Sequence, residues 1–413
     1  MSFEIIEGIF TINVDMTITT AMAAVLLILG YFIKSKVYFL EKYCIPAPVV
    51  GGFIFMIITW IGHTTGAFKF NFTTTLQSFF MLAFFTTVGL GASFELLKKG
   101  GLLLIIYWLI AGFVSIVQNV IGIALSKVTG LEPAYALLSS AITTIGGHGA
   151  GAAYGMTFEG MGYPAGQLVG AAAATFGLIS SVMVGGPVAR LLIERHNLRP
   201  DESQDFDSSI TEINVGTGEK LTGLDIMKNV TAILVCMALG TIVSGWIGKL
   251  IDMDFPTYVG AMFVAVILRN LNEKTKWYKF DYPLVEGIGD VTLGLYLSIA
   301  MMTLKMWELV DLAGPMLIIL FAQVIFLVLF SYFAVFRILG KNYDAAVMCA
   351  GLLGHGLGAT PTAIVNLTAV NDRYGMSRKA MMIVPIVGAF LVDIIYQPQT
   401  VWFIKTFVVD LRK

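Results

Sequence analysis

Two stretches decide the fold: AYALLSSAITTIGGHGAGAAYG at residues 134–155 and AAVMCAGLLGHGLGATPTA at residues 345–363. Each begins with an apolar run that is too short to cross a bilayer, because a span needs about 20 predominantly apolar residues. Each then continues into glycines, which disfavour a regular helix. The two stretches therefore predict re-entrant segments, which enter the membrane and turn back, at 134–164 and 345–372.

The composition places the rest of the chain in a membrane. Of 413 residues, 57% are hydrophobic and only 13% are charged, whereas soluble domains carry about 25% charged residues. The net charge of -1 argues against a nucleic-acid partner. Only four histidines and three scattered cysteines are present, so a bound transition metal has no ligand set. Motifs for ATP-driven pumping or for hydrolysis are absent from the sequence, so we do not expect an enzyme.

Hydropathy predicts an all-α polytopic membrane protein with ten transmembrane helices. One polar stretch, 194–222, divides the chain and is interpreted as a linker between residues 1–193 and 223–413. The first apolar run is interpreted as a retained span and not as a signal peptide. The ten spans are predicted at 17–33, 45–62, 76–94, 102–126, 165–190, 224–249, 256–271, 284–304, 315–339 and 381–406.

Four landmarks recur at nearly one spacing and indicate an internal duplication. FKFNF at 68–72 matches YKFDY at 278–282, and Pro46 matches Pro256, both 210 residues apart. Two further pairs have similar spacings of 207 and 211 residues, and they are His148 with His355 and Pro187 with Pro398. Each half has five spans, an odd number, so the second copy must insert upside down. The sequence thus predicts two inverted five-helix repeats.

The distribution of basic residues predicts the orientation of these repeats. With both termini outside, 19 of the 26 lysines and arginines lie in inside segments, as the positive-inside rule requires. This orientation makes the central linker cytoplasmic and brings the re-entrant segments in from opposite sides. The seven outside residues are Lys69, Lys127, Lys249, Lys305, Lys405, Arg412 and Lys413.

The glycine-rich turns are the predicted binding site. Non-helical chain at membrane depth survives only where protein or a watery cavity satisfies its backbone, and in inverted-repeat transporters such breaks bind anions and cations. The alternative is that the glycines only permit close helix crossings. The predicted substrate contacts are Gly147, Gly149, Gly151, Gly356 and Gly358, with hydroxyls from Thr360 and Thr362. Sodium ligands are predicted at Asp393, Thr360 and the backbone of Gly146 and Gly354.

Four polar side chains have two or more interpretations each. His148 and His355 either brace their segments from the protein interior, contact substrate or relay protons. Asp393 lies near the middle of the last span, where a charge is costly and usually functional. It holds Na⁺ or a substrate ammonium, or it is a packing carboxylate. Asn366 either contacts a substrate carboxylate or amine, or caps the backbone.

Several motifs resemble those of the bacterial sodium/glutamate symporters. They are IPAPVVGG (45–52), MLAFFTTVGL (81–90), GGHGAGAA (146–153), GGPVAR (185–190), GLGATPTAIVNLTAV (356–370) and VPIVGAFLVDII (384–395). The resemblance runs through nearly the whole chain. One departure follows Asp393, where the family usually has a small polar run and this chain has Tyr396-Gln397-Pro398-Gln399.

The resemblance implies Na⁺-coupled uptake of L-glutamate across the inner membrane. It also implies a homodimer in the lipid bilayer and an elevator-like movement of a transport domain. A Na⁺-coupled transporter of another carboxylate is the first alternative. A channel that uses the re-entrant segments as its filter, and a receptor that binds without transport, are two further hypotheses.

Overall fold

The computed structural model describes residues 1–6, 9–42, 45–94, 101–200, 222–251, 255–305 and 312–409. Residues 201–221 of the predicted linker, and Cys44, lie outside this part of the chain. In the first half, the helices are α1 (Met16–Lys34), α2 (Tyr38–Lys42), α3 (Ala47–Thr65), α4 (Thr75–Gly91), α5 (Gly101–Thr129), α6 (Pro133–Leu138), α7 (Ala141–Thr144), α8 (Gly147–Gly160) and α9 (Gly166–His196).

The second half has a similar order of helices. They are α10 (Gly223–Ile251), α11 (Thr257–Thr275), α12 (Tyr282–Met302), α13 (Ala313–Ile338), α14 (Tyr343–Leu357), α15 (Thr360–Tyr374) and α16 (Arg378–Val409). Helix α13 contains a π turn at Ser331–Val335, and α16 contains π turns at Val387–Leu391 and Lys405–Val409.

The described residues contain eight helices that are long and apolar enough to cross a membrane. They are α1, α3, α5, α9, α10, α12, α13 and α16, and each lies where a span is predicted. The other two predicted spans, 76–94 and 256–271, correspond to α4 and α11. Helix α4 has only 17 residues, and α11 ends in a charged turn. The chain is therefore a multi-pass membrane protein.

A small β-sheet was not predicted from the sequence. Strand β1 (Ser2–Ile6) pairs antiparallel with β2 (Ile9–Val14), which pairs parallel with β3 (Phe68–Phe72). Strand β3 is the FKFNF motif, whereas its sequence match at 278–282 leads into α12 without forming a strand. Sheet formation is possible at 68–72 because the N-terminal strand β2 lies beside it, with β1 on the other edge of β2. Tertiary context of this kind overrides local propensity.

The two predicted re-entrant segments are helical hairpins. The first hairpin, 133–160, comprises α6, α7 and α8. The second hairpin, 343–374, comprises α14 and α15. The first chain break needs glycine, because Gly147 has a φ of 60°, which L side chains rarely adopt. The second break uses extended backbone at Ala359, followed by Pro361 in the first turn of α15.

Helix α9 supports both hairpins through close contacts at small residues. Gly170 of α9 lies against Gly151 of α8 so closely that a Cβ atom on either residue would contact the other backbone. Farther along α9, Gly177 faces the carbonyl of Leu357 in the second hairpin. Small residues permit this backbone approach, which supplies the packing attraction between helices in lipid.

The helices form two groups that meet around a central cavity. The panel group consists of α1, α3 and α4 with α10, α11 and α12. The hairpin group consists of α5, α9, α13 and α16 with both hairpins. Contacts within each group greatly exceed those between them, where α12 packs on α8 and α4 packs on the first π turn of α16.

Candidate functional site: a cavity at the meeting point of two hairpin tips

The tips of the two hairpins meet near the centre of the protein. An ideal Cβ on Gly147 would lie 3.5 Å from the carbonyl oxygen of Gly358 and 3.6 Å from the Cβ of Ala359. These are ordinary contact distances. The two chain breaks, which are 212 residues apart in the sequence, are therefore neighbours in space.

Each tip presents the N-terminal turn of a helix. Gly146 precedes α8 and Ala359 precedes α15, and neither N-cap residue makes a side-chain hydrogen bond to its helix. The first N–H groups of an α-helix have no intrahelical partner, and the helix dipole makes this end partly positive. Two such ends at one place form a setting that favours a bound anion.

A cavity of about 440 Å³ lies beside the tips, between the panel group and the hairpin group. This volume is within the usual range for small-molecule sites. The panel side contributes residues of α1, α4 and α12 and the start of α3. The hairpin side contributes both tips, α9 and α16. Six of the predicted site residues line the cavity: Gly146, Gly147, His148, Gly149, Thr360 and Asp393.

Asp393 lies two residues beyond the first π turn of α16 and lines the cavity. Its Oδ1 accepts a hydrogen bond of 3.2 Å from Nε2 of Gln397. The Oε1 of Gln397 in turn accepts a bond of 2.6 Å from the hydroxyl of Tyr154. Within the described ranges, no lysine or arginine forms an ion pair with Asp393. The carboxylate is therefore positioned by a neutral side chain and left open to a cation from the cavity.

His148 and Thr360 are the other polar side chains that the two tips contribute to the cavity. The His148 Nε2 lies 3.0 Å from Thr175 Oγ1 on α9, and the hydroxyl of Tyr296 donates to the neighbouring carbonyl of Gly149 at 2.9 Å. Both contacts fix the start of α8. Thr360 opens α15, and its Oγ1 lies close to Gly388 in the π turn of α16. Hydroxyl and imidazole groups thus flank the two helix ends.

The remaining predicted residues do not line the cavity. His355 is buried, and its Nε2 lies 2.9 Å from the hydroxyl of Tyr107 on α5. Thr362 closes its own turn, because its Oγ1 accepts from the N–H of Ala359 at 3.1 Å and lies 3.0 Å from the Gly354 carbonyl. Asn366 donates through Nδ2 to the carbonyls of Ser181 and Ala350.

The glycines away from the cavity serve close packing. Gly151 lies against Gly170, and a Cβ on Gly358 would contact the hydroxyls of Ser181 and Thr362. The carbonyl of Gly354 accepts from the N–H of Gly358 at 3.0 Å as well as from Thr362. Gly356 packs on the side chain of Leu327. These contacts correspond to the packing alternative, and a direct binding role at these four positions stays a prediction.

Two buried glutamines outside the cavity lining form hydrogen bonds to the hairpins. Gln118 of α5 donates through Nε2 to the carbonyl of Gly356 in the second hairpin at 2.8 Å. Gln323 of α13 donates through Nε2 to Ser140 Oγ in the first hairpin at 3.0 Å and to the carbonyl of Gln118 at 2.9 Å. A single network therefore connects both hairpins to the spans on either side.

Sequence reasoning missed two charged residues that line the cavity. Asp290 lies within the predicted span 284–304, so a search for charges inside spans identifies it. Lys34 lies in the last turn of α1, where a lysine is ordinary and gives no signal. The apolar wall was also missed, because only the tertiary structure brings α4 and α12 to the tips; it includes Phe84, Val88, Leu293 and Leu297.

Comparison with known proteins identifies the family. A sequence model of the family described as sodium/glutamate symporter matches residues 12–376. The chain belongs to the sodium/glutamate symporter family. The sodium/glutamate symporter of Haemophilus influenzae is 41% identical over 382 residues, which cover 91% of this chain and 94% of the relative. That of Escherichia coli is 40% identical over 384 residues, with 92% and 95% covered.

The family match includes both hairpins and their tips but ends before Asp393. The expectation drawn from the motifs is confirmed at the level of the sodium/glutamate symporter family. The part played by Asp393 rests on its position beside the tips and on its contact with Gln397. Gln397 belongs to the run YQPQ and is buried behind Asp393, which lines the cavity.

Proposed function

We propose that this chain imports L-glutamate together with Na⁺ across the inner membrane and that the cavity at the hairpin tips is the binding site. One observation carries the proposal. The N-terminal turns of α8 and α15, whose N-cap residues have no polar side chain, meet at a cavity that also contains an intramembrane carboxylate, Asp393, with no ion pair among the described residues. A zwitterionic substrate with an extra carboxylate matches this combination of charges. The name printed for the relatives, sodium/glutamate symporter, supports the same substrate and ion.

The substrate carboxylates are assigned to the two helix ends. The N–H groups of Gly147, His148 and Gly149 face one carboxylate, and the glycines allow the backbone to approach it directly. The N-terminal turn of α15, with the hydroxyl of Thr360, faces the other. Lys34, on the cavity wall opposite, adds a positive charge that attracts anions into the cavity.

The cations are assigned to the carboxylate side of the cavity. Asp393 binds Na⁺ or the substrate ammonium, and Thr360 Oγ1 with the carbonyl of Gly146 supplies neutral oxygen ligands. The Gly354 carbonyl is less suited to Na⁺, because it already accepts two hydrogen bonds. A charge at the bilayer centre costs about 2.5–3.5 kcal/mol on insertion scales. Joint binding of anion and cation lowers this cost, which explains the coupling.

The architecture proposed for this function is two inverted repeats, 1–193 and 223–413, joined by the cytoplasmic linker 194–222. Ten crossings follow if α4 and α11 also span the bilayer. The two helix groups support this repeat, because the panel group takes three helices from each half and the hairpin group takes two long helices and one hairpin from each half. Gln118 and Gln323, 205 residues apart, support it too, since each holds the opposite hairpin.

An elevator-like movement of the hairpin group against the panel group is the proposed transport step. Its support is that the cavity lies between the groups, so relative sliding changes which side the cavity faces. Lys34 and Pro46 line the cavity at helix ends predicted to be cytoplasmic, so the described state is assigned as inward-facing. This assignment uses the orientation with both termini outside. A homodimer formed through the panel group leaves the hairpin group free to move.

The test is uptake of radiolabelled L-glutamate into proteoliposomes with an imposed inward Na⁺ gradient. Asp393→Asn is expected to reduce Na⁺-driven uptake by at least 100-fold, which corresponds to a free-energy difference of about 2.7 kcal/mol between wild type and variant. The matched control, Asp372→Asn, removes an exposed carboxylate of α15 and should transport normally. Full uptake by Asp393→Asn with an unchanged Na⁺ dependence would refute the assigned role.

Another carboxylate substrate and a channel are distinguished in the same vesicles. Competition by D-glutamate, aspartate, glutamine and a dicarboxylate without an amine determines which charges the cavity requires. Strong competition by the amine-free compound would favour a different carboxylate as substrate. Saturable uptake with counterflow excludes the channel, whereas current that does not saturate with ligand would support it.

A further inference from the structure

A second cavity, remote from the hairpin tips, lies between the ends of α9 and α13. Its volume is about 160 Å³, and it is lined only by basic and aromatic residues: Arg195, His196, Tyr332, Phe333, Phe336, Arg337 and Lys341. Among the described residues, no carboxylate forms an ion pair with Arg195, Arg337 or Lys341. We propose that this pocket binds the phosphate headgroup of an anionic phospholipid.

Aromatic side chains hold the basic groups in place. Arg195 donates through Nη1 to the hydroxyl of Tyr332 at 2.7 Å. The guanidinium of Arg337 lies 5.9 Å from the ring centroid of Phe333 and donates to the carbonyl of that residue. Each guanidinium has five N–H donors, so most remain available to phosphate oxygens. The pocket is thus a preorganised cluster and not a set of freely moving surface lysines.

The nearest acidic residue is directed elsewhere. Glu194, next to Arg195 in the sequence, accepts from Arg190 Nε at 3.0 Å and from the hydroxyl of Tyr374 at 2.7 Å. Both partners line the groove between α9 and α15. The positive charge of the pocket is therefore not neutralised by its neighbour. Basic pockets between transmembrane helices at the membrane surface are suited to phospholipid headgroups.

An apolar stripe continues from the pocket along α13 toward the membrane interior. It consists of side chains four residues apart that are all exposed in the single chain: Leu317, Phe321, Ile325, Leu329 and Phe333. Phe321 also contacts Phe176 of α9, with ring centroids 5.1 Å apart. When the phosphate of a phospholipid occupies the pocket, the acyl chains of that lipid lie against this stripe. Charge at one end and apolar surface along the helix match a phospholipid better than free phosphate.

The π turn of α13 contributes to the shape of the pocket. It covers Ser331–Val335, so both Tyr332 and Phe333 belong to it. A π turn inserts one extra residue into a helix and is frequent at functional sites. Tyr332 of this turn contacts Arg195, and Phe333 lies beside the guanidinium of Arg337. The local helix irregularity and the basic cluster therefore coincide.

Native mass spectrometry of the purified full chain, exchanged between micelles of defined lipids, tests this proposal. Wild type is expected to retain phosphatidylglycerol or cardiolipin over phosphatidylcholine. Each cation removed should weaken retention about fivefold, the effect of roughly 1 kcal/mol per basic residue at a membrane surface. Arg195→Gln with Arg337→Gln should therefore weaken it about 25-fold, and Arg195→Lys with Arg337→Lys should retain most of it.

The matched control is Arg190→Gln with Arg373→Gln, which removes the same charge from the neighbouring groove on α9 and α15. Normal lipid retention in this control supports the proposal, and an equal loss would show diffuse electrostatic attraction instead. Displacement of the lipid by inorganic phosphate alone would show that the stripe adds nothing. Ile325→Ser provides the last test. If this variant converts a dimer to a monomer and leaves lipid retention unchanged, the stripe is a contact surface for a second copy of the chain. That result would overturn the proposal.

Discussion

The two hairpins contain the same Gly-His-Gly motif, yet it lies on opposite sides of the two turns. In the first hairpin, residues 147–149 begin α8, so His148 faces the cavity. In the second, residues 354–356 lie in the last turns of α14, before the chain break at Gly358 and Ala359. His355 consequently points into the protein interior, toward Tyr107. The tips are 212 residues apart, whereas the motifs are 207 apart, and this shift of five residues separates a cavity residue from an interior one.

This comparison shows how a duplicated fold becomes chemically asymmetric. The first tip presents a bare glycine-rich helix end with an imidazole, and the second presents Thr360 beside Asp393. Both tips contribute to the cavity, and the variants below separate their roles.

The largest effect on stability is expected from His355→Ala. This change removes a buried ring that is only 2% exposed and leaves the Tyr107 hydroxyl without its close partner, at a cost of about 2–4 kcal/mol. A lower midpoint of thermal unfolding in detergent measures it. His148→Ala should raise the apparent KM for substrate, because this residue lines the cavity, and should lower that midpoint less, because its ring contacts Thr175 at the cavity wall.

Tyr107→Phe is the control for the His355 contact. It should destabilise wild type but have little further effect in the His355→Ala background, as a double-mutant cycle measures. A KM effect without a stability effect at His355 would contradict the interior assignment.

The next largest difference in stability is expected between variants of the two threonines of the second hairpin, Thr360 and Thr362. Thr362→Val removes the hydroxyl that binds the N–H of Ala359, leaving buried groups unsatisfied at a cost of about 1–3 kcal/mol. Thr360→Val should leave the unfolding midpoint unchanged and raise the Na⁺ concentration needed for half-maximal uptake. Thr368→Val, at an exposed position of α15, is the control. Equal effects of the Thr360 and Thr362 variants on both quantities would remove the distinction.

The two turns should respond differently to a β-branched residue. Gly147→Val forces a left-handed backbone on valine, which costs about 1–2 kcal/mol and should lower both stability and uptake. Gly147→Asn should be milder, because asparagine enters that region more readily. Ala359→Val should have little effect on stability, since its φ of -169° is extended backbone. Thermal unfolding of the three variants checks this order, and similar midpoints for valine at 147 and 359 would contradict it.

The smallest effect is expected from the two glutamines. Gln118→Met and Gln323→Met should each destabilise by about 1 kcal/mol through lost hydrogen bonds. Their exchange patterns should differ: hydrogen–deuterium exchange rises in the second hairpin for Gln118→Met and in the first for Gln323→Met. Increased exchange in both hairpins for either variant would show that the network does not discriminate between them.

The sequence by itself determined the helical membrane class, the family and the two stretches that contain the chain breaks. Apolar length and glycine content are local properties, and the lipid environment leaves few alternatives to helices. Each of the ten predicted spans has a helix at its place, although within the described part of the chain eight helices are long and apolar enough to cross a membrane. The strand at Phe68–Phe72 was not predicted, because strand pairing depends on residues that are distant in the sequence.

Only the tertiary structure decided which site candidates share the cavity. Gly147, His148, Thr360 and Asp393 line it together with Lys34 and Asp290, and no spacing in the sequence distinguishes them from His355, Thr362 or Asn366. The reason is geometric. A residue of a re-entrant hairpin faces either the cavity or the supporting helices, and a shift of a few residues relative to the chain break reverses the choice. The motif determines which residue types are near the turn, and the position of the turn determines which of them face the cavity.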